Sequence, residues 1–318
     1  MKLSVAMCSF NGEKYIKNQL DSILNQTVAI DEIIICDDGS SDKTIEIISQ
    51  IQQQNPTKIS LFRNTANLGS TKNFEKAINL CSGDFIFLAD QDDIWKEEKV
   101  KKTLAVFDEN PNAEGVFSNA DLIDENGKLI PSITIWDSIF FLEKELPKPI
   151  DFFNVISKNG NVVTGATLCF RKNVKDFINF HEDDCLHDEK IATFLSLRES
   201  LYYSTENLIS YRIHSKQQVG MKNMYKLVTK NRLKRIILDL DKPSSFKEYR
   251  HLSKKKYLKF HKSKKYLKSD SIKINIQDLI TKSHSEFQDL NIKMKLKFPF
   301  RYRFVSLSDR LLGKRKTI

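Results

Sequence analysis

The first 90 residues alternate short apolar runs with segments of helical period, and this alternation constrains the fold more than any other feature. Leu3 to Cys8, Ile33 to Cys36, Ile59 to Phe62 and Phe85 to Leu88 are β-branched or apolar and bounded by polar turn residues, so they read as buried strands. Between them, Lys14 to Gln26 places Ile16, Leu20, Ile23 and Leu24 on one face, and Lys43 to Gln53 and Thr71 to Leu80 repeat the helical pattern. Such alternation calls for an α/β fold, a mainly parallel sheet flanked by helices, in which ligands bind beyond the carboxyl ends of the strands. From residue 113 the periodicity weakens, with strands expected at Gly115 to Phe117 and Val162 to Phe170 in a second half of the same domain.

The loops after the four strands therefore carry the chemistry. They read Ser9-Phe10-Asn11-Gly12, Asp37-Asp38-Gly39-Ser40-Ser41-Asp42, Asn64 to Ser70, and Asp90-Gln91-Asp92-Asp93. The first lacks a G-x-G-x-x-G phosphate cradle, which argues against a nicotinamide or flavin dinucleotide. Alternate residues leaving a strand end can aim two carboxylates at one hard cation, so Asp90 and Asp92 suit Mg²⁺ or Mn²⁺ bridging a diphosphate. Asp92 or Asp93 capping a helix that begins near Trp95 is equally compatible with the pattern. A carboxylate of Asp37-Asp38 suits the imide N–H of uracil or thymine, and Asp42 or Ser41 suits the cap of the helix at Lys43. Phe10 reads either as a base-stacking ring or as core. His187-Asp188, just ahead of Ile191, Phe194 and Leu195, and His214, within Tyr211 to Gly220, read by themselves as packed residues or helix caps.

Charge divides the chain. Residues 221–318 hold 28 Lys and Arg against 8 Asp and Glu, whereas the first 220 hold 23 against 33. Opposite fields imply different partners, so the domains are set at 1–220 and 221–318. Met221, Met224, Tyr225, Val228, Leu233, Ile236, Ile237 and Leu240 follow helical spacing among lysines, whereas Ile292 to Phe298 alternates apolar residues with lysine, a period of two expected of a strand or an extended segment. The five cysteines, Cys8, Cys36, Cys81, Cys169 and Cys185, show neither a pairing pattern nor C-x-x-C, as expected of a reducing compartment. No apolar run approaches the roughly 20 residues of a spanning helix, and Leu3 to Cys8 is too short for a signal peptide, so a cytoplasmic protein is expected. A mean isoelectric point near 9.2 raises a nucleic-acid binder as an alternative. Its basic charge lies away from the carboxylate loops, with no zinc-finger or ribonucleoprotein signature, and no nucleic-acid partner is expected. A nucleotidyltransferase also places carboxylates and a metal beside a nucleotide, and stays open as a second alternative.

Taken together, Ser9-Phe-Asn-Gly-Glu, Asp37-Asp-Gly-Ser-Ser-Asp-Lys-Thr, Asn67-Leu-Gly69 with Lys72-Asn73-Phe74, Asp90-Gln-Asp-Asp-Ile-Trp95, His187-Asp188 and Tyr211-Arg-Ile-His214 resemble family 2 glycosyltransferases of the GT-A fold, in the rhamnosyltransferase-like bacterial branch. The resemblance covers residues 1 to about 220. It implies a GT-A nucleotide-diphospho-sugar transferase fold with a basic helical extension, and an inverting transfer of a sugar from a nucleotide diphosphate to a hydroxyl. By residue, it implies donor contacts from Ser9, Phe10, Asp38, Lys72 and Asp90, a metal held by Asp90, Asp92 and His214, and Asp188 as catalytic base. The sugar pocket and acceptor side are expected at Trp95, Thr164, Gly165 and His187. Glu189-Lys190, where the branch often has aromatics, and Gln217, where it often has asparagine, are departures near the acceptor side. dTDP-L-rhamnose is the expected donor, with UDP-hexoses as competitors. A lipid-linked glycan acceptor is expected, with the basic tail on the anionic inner face of the plasma membrane.

Overall fold

The computed structural model describes residues 1–139, 141, 143–178, 186–215, 217, 245–250, 252–253 and 273–303. It divides into two compact units, Met1–Phe153 with Asn161–Tyr225, and Asn154–Gly160 with Lys226–Ile318. The helical spacing noted between Met221 and Leu240 lies outside the described residues.

In the first unit, β1 (Leu3–Ser9), β2 (Glu32–Asp37), β3 (Ile59–Arg63) and β4 (Phe85–Asp90) are joined by helices α1 (Ile16–Leu24), α2 (Thr44–Gln54) and α3 (Ser70–Leu80). They form a parallel sheet in the order β3-β2-β1-β4. Val5, Met7, Ile33, Ile35 and Phe87 are fully buried within it. Ile16, Leu20 and Ile23 of α1 and Phe74, Ala77 and Ile78 of α3 supply covering faces. The register pairs Ser9 with Asp37, Asp37 with Arg63 and Cys8 with Asp90, so the polar strand ends form one edge.

The chain continues through β5 (Ile94–Trp95), α4 (Lys99–Glu109), β6 (Gly115–Ile123), β7 (Leu129–Thr134), α5 (Ile135–Ile139), α6 (Phe152–Asn159), β8 (Cys169–Arg171), α7 (His187–Leu197) and β9 (Leu201–Arg212). These strands extend the sheet as β4-β8-β6-β9-β5, with β7 on β6. β8 is antiparallel to β4 and β6, and β9 runs parallel to β6. The mixed sheet with flanking helices matches the architecture expected from the sequence.

Three local expectations are corrected. Trp95 starts no helix: Ile94 and Trp95 pair antiparallel with Ser210 and Ile209, Trp95 N–H donates to Ser22 Oγ, and α4 begins only at Lys99. The strand expected over Val162 to Phe170 is broken by a 3₁₀ turn at Gly165–Thr167. There Thr164 C=O accepts both the Thr167 N–H and its hydroxyl, and pairing resumes at Cys169.

The third correction concerns the second unit, where Ile292 to Lys297 forms the end of a helix, α8 (Lys273–Lys297), and Phe298 follows it. Leu290 and Met294 pack on Tyr249 and Leu252, with Phe246, Phe298 and Tyr302 around them, while Ile292 and Leu296 stay exposed. The period of two is a helix with apolar residues on opposite sides, one buried and one exposed. Among the described residues no helix is long and apolar enough to cross a membrane.

At the opposite edge of the parallel strands, Glu32 ties the strand starts together. Its carboxylate accepts bonds from Lys2 Nζ, Ser4 Oγ, Ser82 N–H and Oγ, and Gly83 N–H. Burial alone raises its pKa, but these donors overcome that effect and bring it to about 2. A folded pKa below the unfolded one stabilises the protein above about pH 4.5, and that contribution is lost as pH falls towards 2. Glu32→Gln is expected to lower the unfolding free energy at neutral pH by about 1–3 kcal/mol, read from the urea midpoint. An unchanged midpoint would show that the knot contributes nothing.

Candidate active site

Two of the strand-end carboxylates hold the loops in place. Asp37 accepts N–H bonds from Gly39 and Ser40 on one oxygen and the Ser9 and Ser40 hydroxyls on the other. Asp38 accepts Leu68 N–H at 2.7 Å and Asn64 Nδ2 on Oδ1, and Gly69 N–H at 2.9 Å on Oδ2, so it locks the β2 loop to the β3 loop. A carboxylate offers about four acceptor positions, which leaves Asp38 one more acceptor position. Gln91 holds the first loop with reciprocal bonds to the Phe10 backbone. A Cβ at Gly12 would lie 2.1 Å from Gln91 Oε1, so a larger residue there would push the Gln91 amide out of its bonds to Phe10.

These loops enclose a cavity of about 1030 Å³. Ser9, Phe10, Asp38, Asp90, Asp92, Thr164, Gly165, His187, Asp188 and His214 all line it, and so are brought together from β1, β2, β4, the 3₁₀ turn, α7 and the end of β9. Two expected site residues are not. Trp95 is 3% exposed in the core, tilted against Phe87 and under Lys99 Nζ at 4.0 Å, because pairing with β9 turns it inward. Lys72 is exposed on α3 and is not among the lining residues, whereas Ser70, Asn73 and Phe74 of that helix are.

The acidic loop after β4 divides its three carboxylates. Asp92 Oδ2 lies 2.8 Å from His214 Nε2 at the cavity wall. Asp93 turns inward and is buried, with Oδ1 accepting the Arg212 N–H and Oδ2 without a hydrogen-bond donor. Its pKa is raised by burial and by Asp92 and Asp90. Burial first, then Asp92 and Asp188, push Asp90 up to about 7.

Among the described residues no three His, Cys, Asp or Glu side chains are grouped so that they could hold a metal ion by themselves. An open Asp92–His214 pair with Asp90 nearby still fits a hard cation whose remaining ligands are diphosphate oxygens, since such ions are held through one or two carboxylates plus substrate phosphates.

Asp188 sits in the first turn of α7, where its Oδ2 accepts the Gly165 N–H at 3.1 Å and its Oδ1 the Glu189 N–H. Asp188 is not the N-cap of α7: that position is Leu186, whose side chain accepts no hydrogen bond from the helix. Burial raises the Asp188 carboxyl to about 6 against those two N–H bonds. His187 stacks on Phe74 with ring centroids 3.9 Å apart, and burial lowers its imidazole to about 3, so it is neutral. Both its ring nitrogens are buried without a protein partner. A Cβ at Gly165 would come within 2.9 Å of His187 Nε2, so glycine is what lets the turn approach α7.

Two supporting cations were not singled out from the sequence. Arg212, buried, donates to the carbonyls of Asp92 and Asp124 and stacks over Tyr15. Lys99, fully buried, donates to Ala166 C=O at 2.7 Å and so fixes the turn whose Gly165 N–H holds Asp188. Burial lowers its ammonium to about 7. Gln217 donates to Arg212 C=O and its Oε1 accepts the His214 N–H, bracing the histidine's turn.

Comparison with known proteins gives a consistent answer. The model of "Glycosyl transferase family 2" matches residues 4–177. An uncharacterised glycosyltransferase of Nostoc is 30% identical over 67% of this chain and 65% of its own length, so the chain spans just under two thirds of that relative. A dTDP-rhamnosyl transferase of Shigella flexneri is 30% identical over 69% of this chain and 75% of its own. An Escherichia coli β-1,3-glucosyltransferase, named for UDP-glucose and a GlcNAc-diphosphoundecaprenol acceptor, is 32% identical over 39% of this chain and 47% of its own. In fold, the chain is similar to Staphylococcus aureus TarS in complex with UDP-GlcNAc, with TM-score 0.56, 19% identity, and 98% and 92% of the two chains covered. It is also similar to a Pyrobaculum calidifontis mannosyltransferase with GDP-Man and Mn²⁺, with TM-score 0.50, 13% identity, and 99% and 81% covered.

The raised carboxyls make a stability prediction. A folded pKa above the unfolded value of about 3.9 means that the native state binds more protons, so each such group adds stability at low pH that is lost as pH rises through the folded value. Asp188 and Asp90 place this loss between about pH 4 and 7. His187 and Lys99, both lowered, act with the opposite sign, the imidazole between about pH 3 and 6.5 and the lysine only above about pH 7. Between pH 5 and 7 the raised carboxyls therefore act against one imidazole and outnumber it. The melting temperature of the ligand-free protein is expected to fall from pH 5 to pH 7, and less steeply in Asp188→Asn. A rise over that range in both proteins would contradict the assignment.

Proposed function

The chain belongs to glycosyl transferase family 2, and from that premise we propose that it transfers a sugar, with inversion, from a nucleotide diphosphate to a hydroxyl of a glycan acceptor. The observation that carries this reading is the pairing of two groups across one cavity: a carboxyl tuned to about 6, Asp188, and an open Asp92–His214 pair. The base loop, with Phe10 and the free acceptor position of Asp38, suits the ring and imide N–H of uracil or thymine. Asp92 and His214, with Asp90 behind them, would hold Mn²⁺ or Mg²⁺, which when bound supplies charge compensation for the diphosphate. The mannosyltransferase with Mn²⁺ supports that choice by likeness of fold alone.

The protein's own part follows from Asp188. At neutral pH a carboxyl of pKa about 6 is mostly ionised. It takes the proton of the acceptor hydroxyl as that oxygen bonds to the anomeric carbon and the bond from that carbon to the diphosphate oxygen breaks. The Gly165 and Glu189 N–H groups hold both carboxylate oxygens in place for this transfer. Enclosure by the loops orients the reactants and restricts water.

dTDP-L-rhamnose is the donor we assign. The Shigella relative supports it, and the apolar wall of Phe74, Ile135, Ile139, Val163 and Leu186, rather than the buried Trp95, would meet the sugar's methyl group. The acceptor is read as lipid-linked and presented at the cytoplasmic face of the membrane, where the basic second unit meets anionic lipid. The E. coli relative's diphosphoundecaprenol acceptor supports this.

Asp188→Asn is expected to lower kcat by about 10²- to 10⁴-fold with donor affinity changed only a few-fold. Loss of donor binding with normal turnover of the remaining complex would make the residue structural. In a panel of nucleotide sugars, release of nucleoside diphosphate with the highest kcat/KM for dTDP-L-rhamnose is expected over UDP-glucose and UDP-galactose. A higher value for either UDP-hexose would overturn the donor, and no turnover of any nucleotide sugar would overturn the reaction.

A further inference from the structure

The alternation over Ile292 to Phe298 gives α8 a second apolar side that is exposed rather than packed against the described residues. Leu290, Met294 and Phe298 face the small core of the second unit. Ile292 and Leu296, four residues apart, and Phe300, four beyond, are 56, 77 and 83% exposed. Isolated exposed apolar residues are ordinary, but Ile292 and Leu296 on α8, with Phe300 in the helical stretch that follows the break at Phe298, recur every four positions and form a stripe. The stripe does not stand in neutral surroundings. Residues 292–303 contain Lys293, Lys295, Lys297, Arg301 and Arg303 and no acidic residue. Lys293, Lys295 and Arg301 are exposed beside the stripe, and Lys297 leans over the Tyr249 and Phe298 rings.

We propose that Ile292, Leu296 and Phe300, with the cations around them, form the face by which this protein docks on an anionic lipid bilayer. The inference rests on the reading that the acceptor is held at a membrane, and it names the surface responsible. The charge pattern selects the occupant. A second copy of the same stripe would bring five positive charges against five. A nucleic acid would satisfy the cations but leave the aliphatic side chains nothing to bury in. An anionic bilayer takes both, with headgroups for the lysines and arginines and the acyl boundary for the apolar side chains. The long stems of the lysines let their ammonium groups reach the headgroups while the stripe sits deeper. Met294 and Phe298 stay in the protein core, so docking needs no unfolding of α8.

Vesicle flotation with the full chain tests this. The wild type is expected to float with phosphatidylcholine vesicles containing phosphatidylglycerol, to remain behind with pure phosphatidylcholine, and to be released by salt. Leu296→Ser with Phe300→Ser is expected to weaken partitioning by at least about tenfold with the circular dichroism spectrum unchanged. Lys293→Glu with Lys295→Glu, which leaves the stripe intact, is expected to do the same. Wild-type partitioning by the serine pair would overturn the proposal, as would absence of binding by the wild type or equal retention on duplex nucleic acid. Donor hydrolysis by the same preparations in free solution reports on the catalytic reading separately, because none of these four positions lies in the cavity.

Discussion

Three carboxyl groups, those of Asp90, Asp92 and Asp188, line the cavity with a fourth, Asp93, buried behind them, and the rest of the site is organised around the cost of holding them together. Asp90 ends β4, Asp92 and Asp93 follow on the next loop, and Asp188 arrives on the first turn of α7. Like charges brought out of water raise one another's pKa, which is why Asp90 and Asp93 shift upward in concert. The protein answers from behind the loop rather than in front of it. Arg212 and Lys99 are buried, and their donors go mainly to backbone carbonyls, those of Asp92, Asp124 and Ala166. The cavity side therefore keeps its carboxylates facing the space where the proposed cation and diphosphate would bind.

That arrangement depends on a division of labour among acids that look alike in sequence. Asp37 and Asp38 are saturated or nearly so by loop donors, and Glu32 fastens the opposite edge of the sheet. Their bonds make the loops rigid enough for Asp90, Asp92 and Asp188 to stand with fewer partners. Glycines at 12 and 165 serve the same end, since each lets a backbone approach a functional side chain that any larger residue would displace.

Much of this was legible in the sequence because the parallel half of the sheet obeys simple periodicity. Each of the four strands is an apolar run, and each is followed by its loop, so the edge where the chemistry gathers followed directly. The mixed half was less readable. β9 is buried on both faces near its end, so strand alternation did not reveal whether Arg212 points inward or outward. Lys99 stands in a Lys-Val-Lys-Lys run that looks like a solvated face. Its spacing to Thr103 and Phe107, both buried, was the signal that it lies on the inner side of α4. Trp95 was assigned to the sugar pocket for its chemistry, but two backbone pairs with β9 decide its direction. The alternating lysines of α8 mimicked a strand because a helix with apolar residues on two opposite sides also repeats every second residue over a short stretch.

In the proposed reaction the Asp92–His214 side of the cavity receives a divalent cation jointly with a nucleoside diphosphate. Isothermal titration of Mn²⁺ into the wild type and into Asp92→Asn, each with and without dTDP or UDP, tests it directly. The account predicts weak Mn²⁺ binding to the protein alone, because one carboxylate and one imidazole make an incomplete shell. It predicts binding tighter by at least about tenfold when the diphosphate is present, and loss of that gain in Asp92→Asn. Mn²⁺ affinity indifferent to the diphosphate, or a gain preserved in Asp92→Asn, would contradict it.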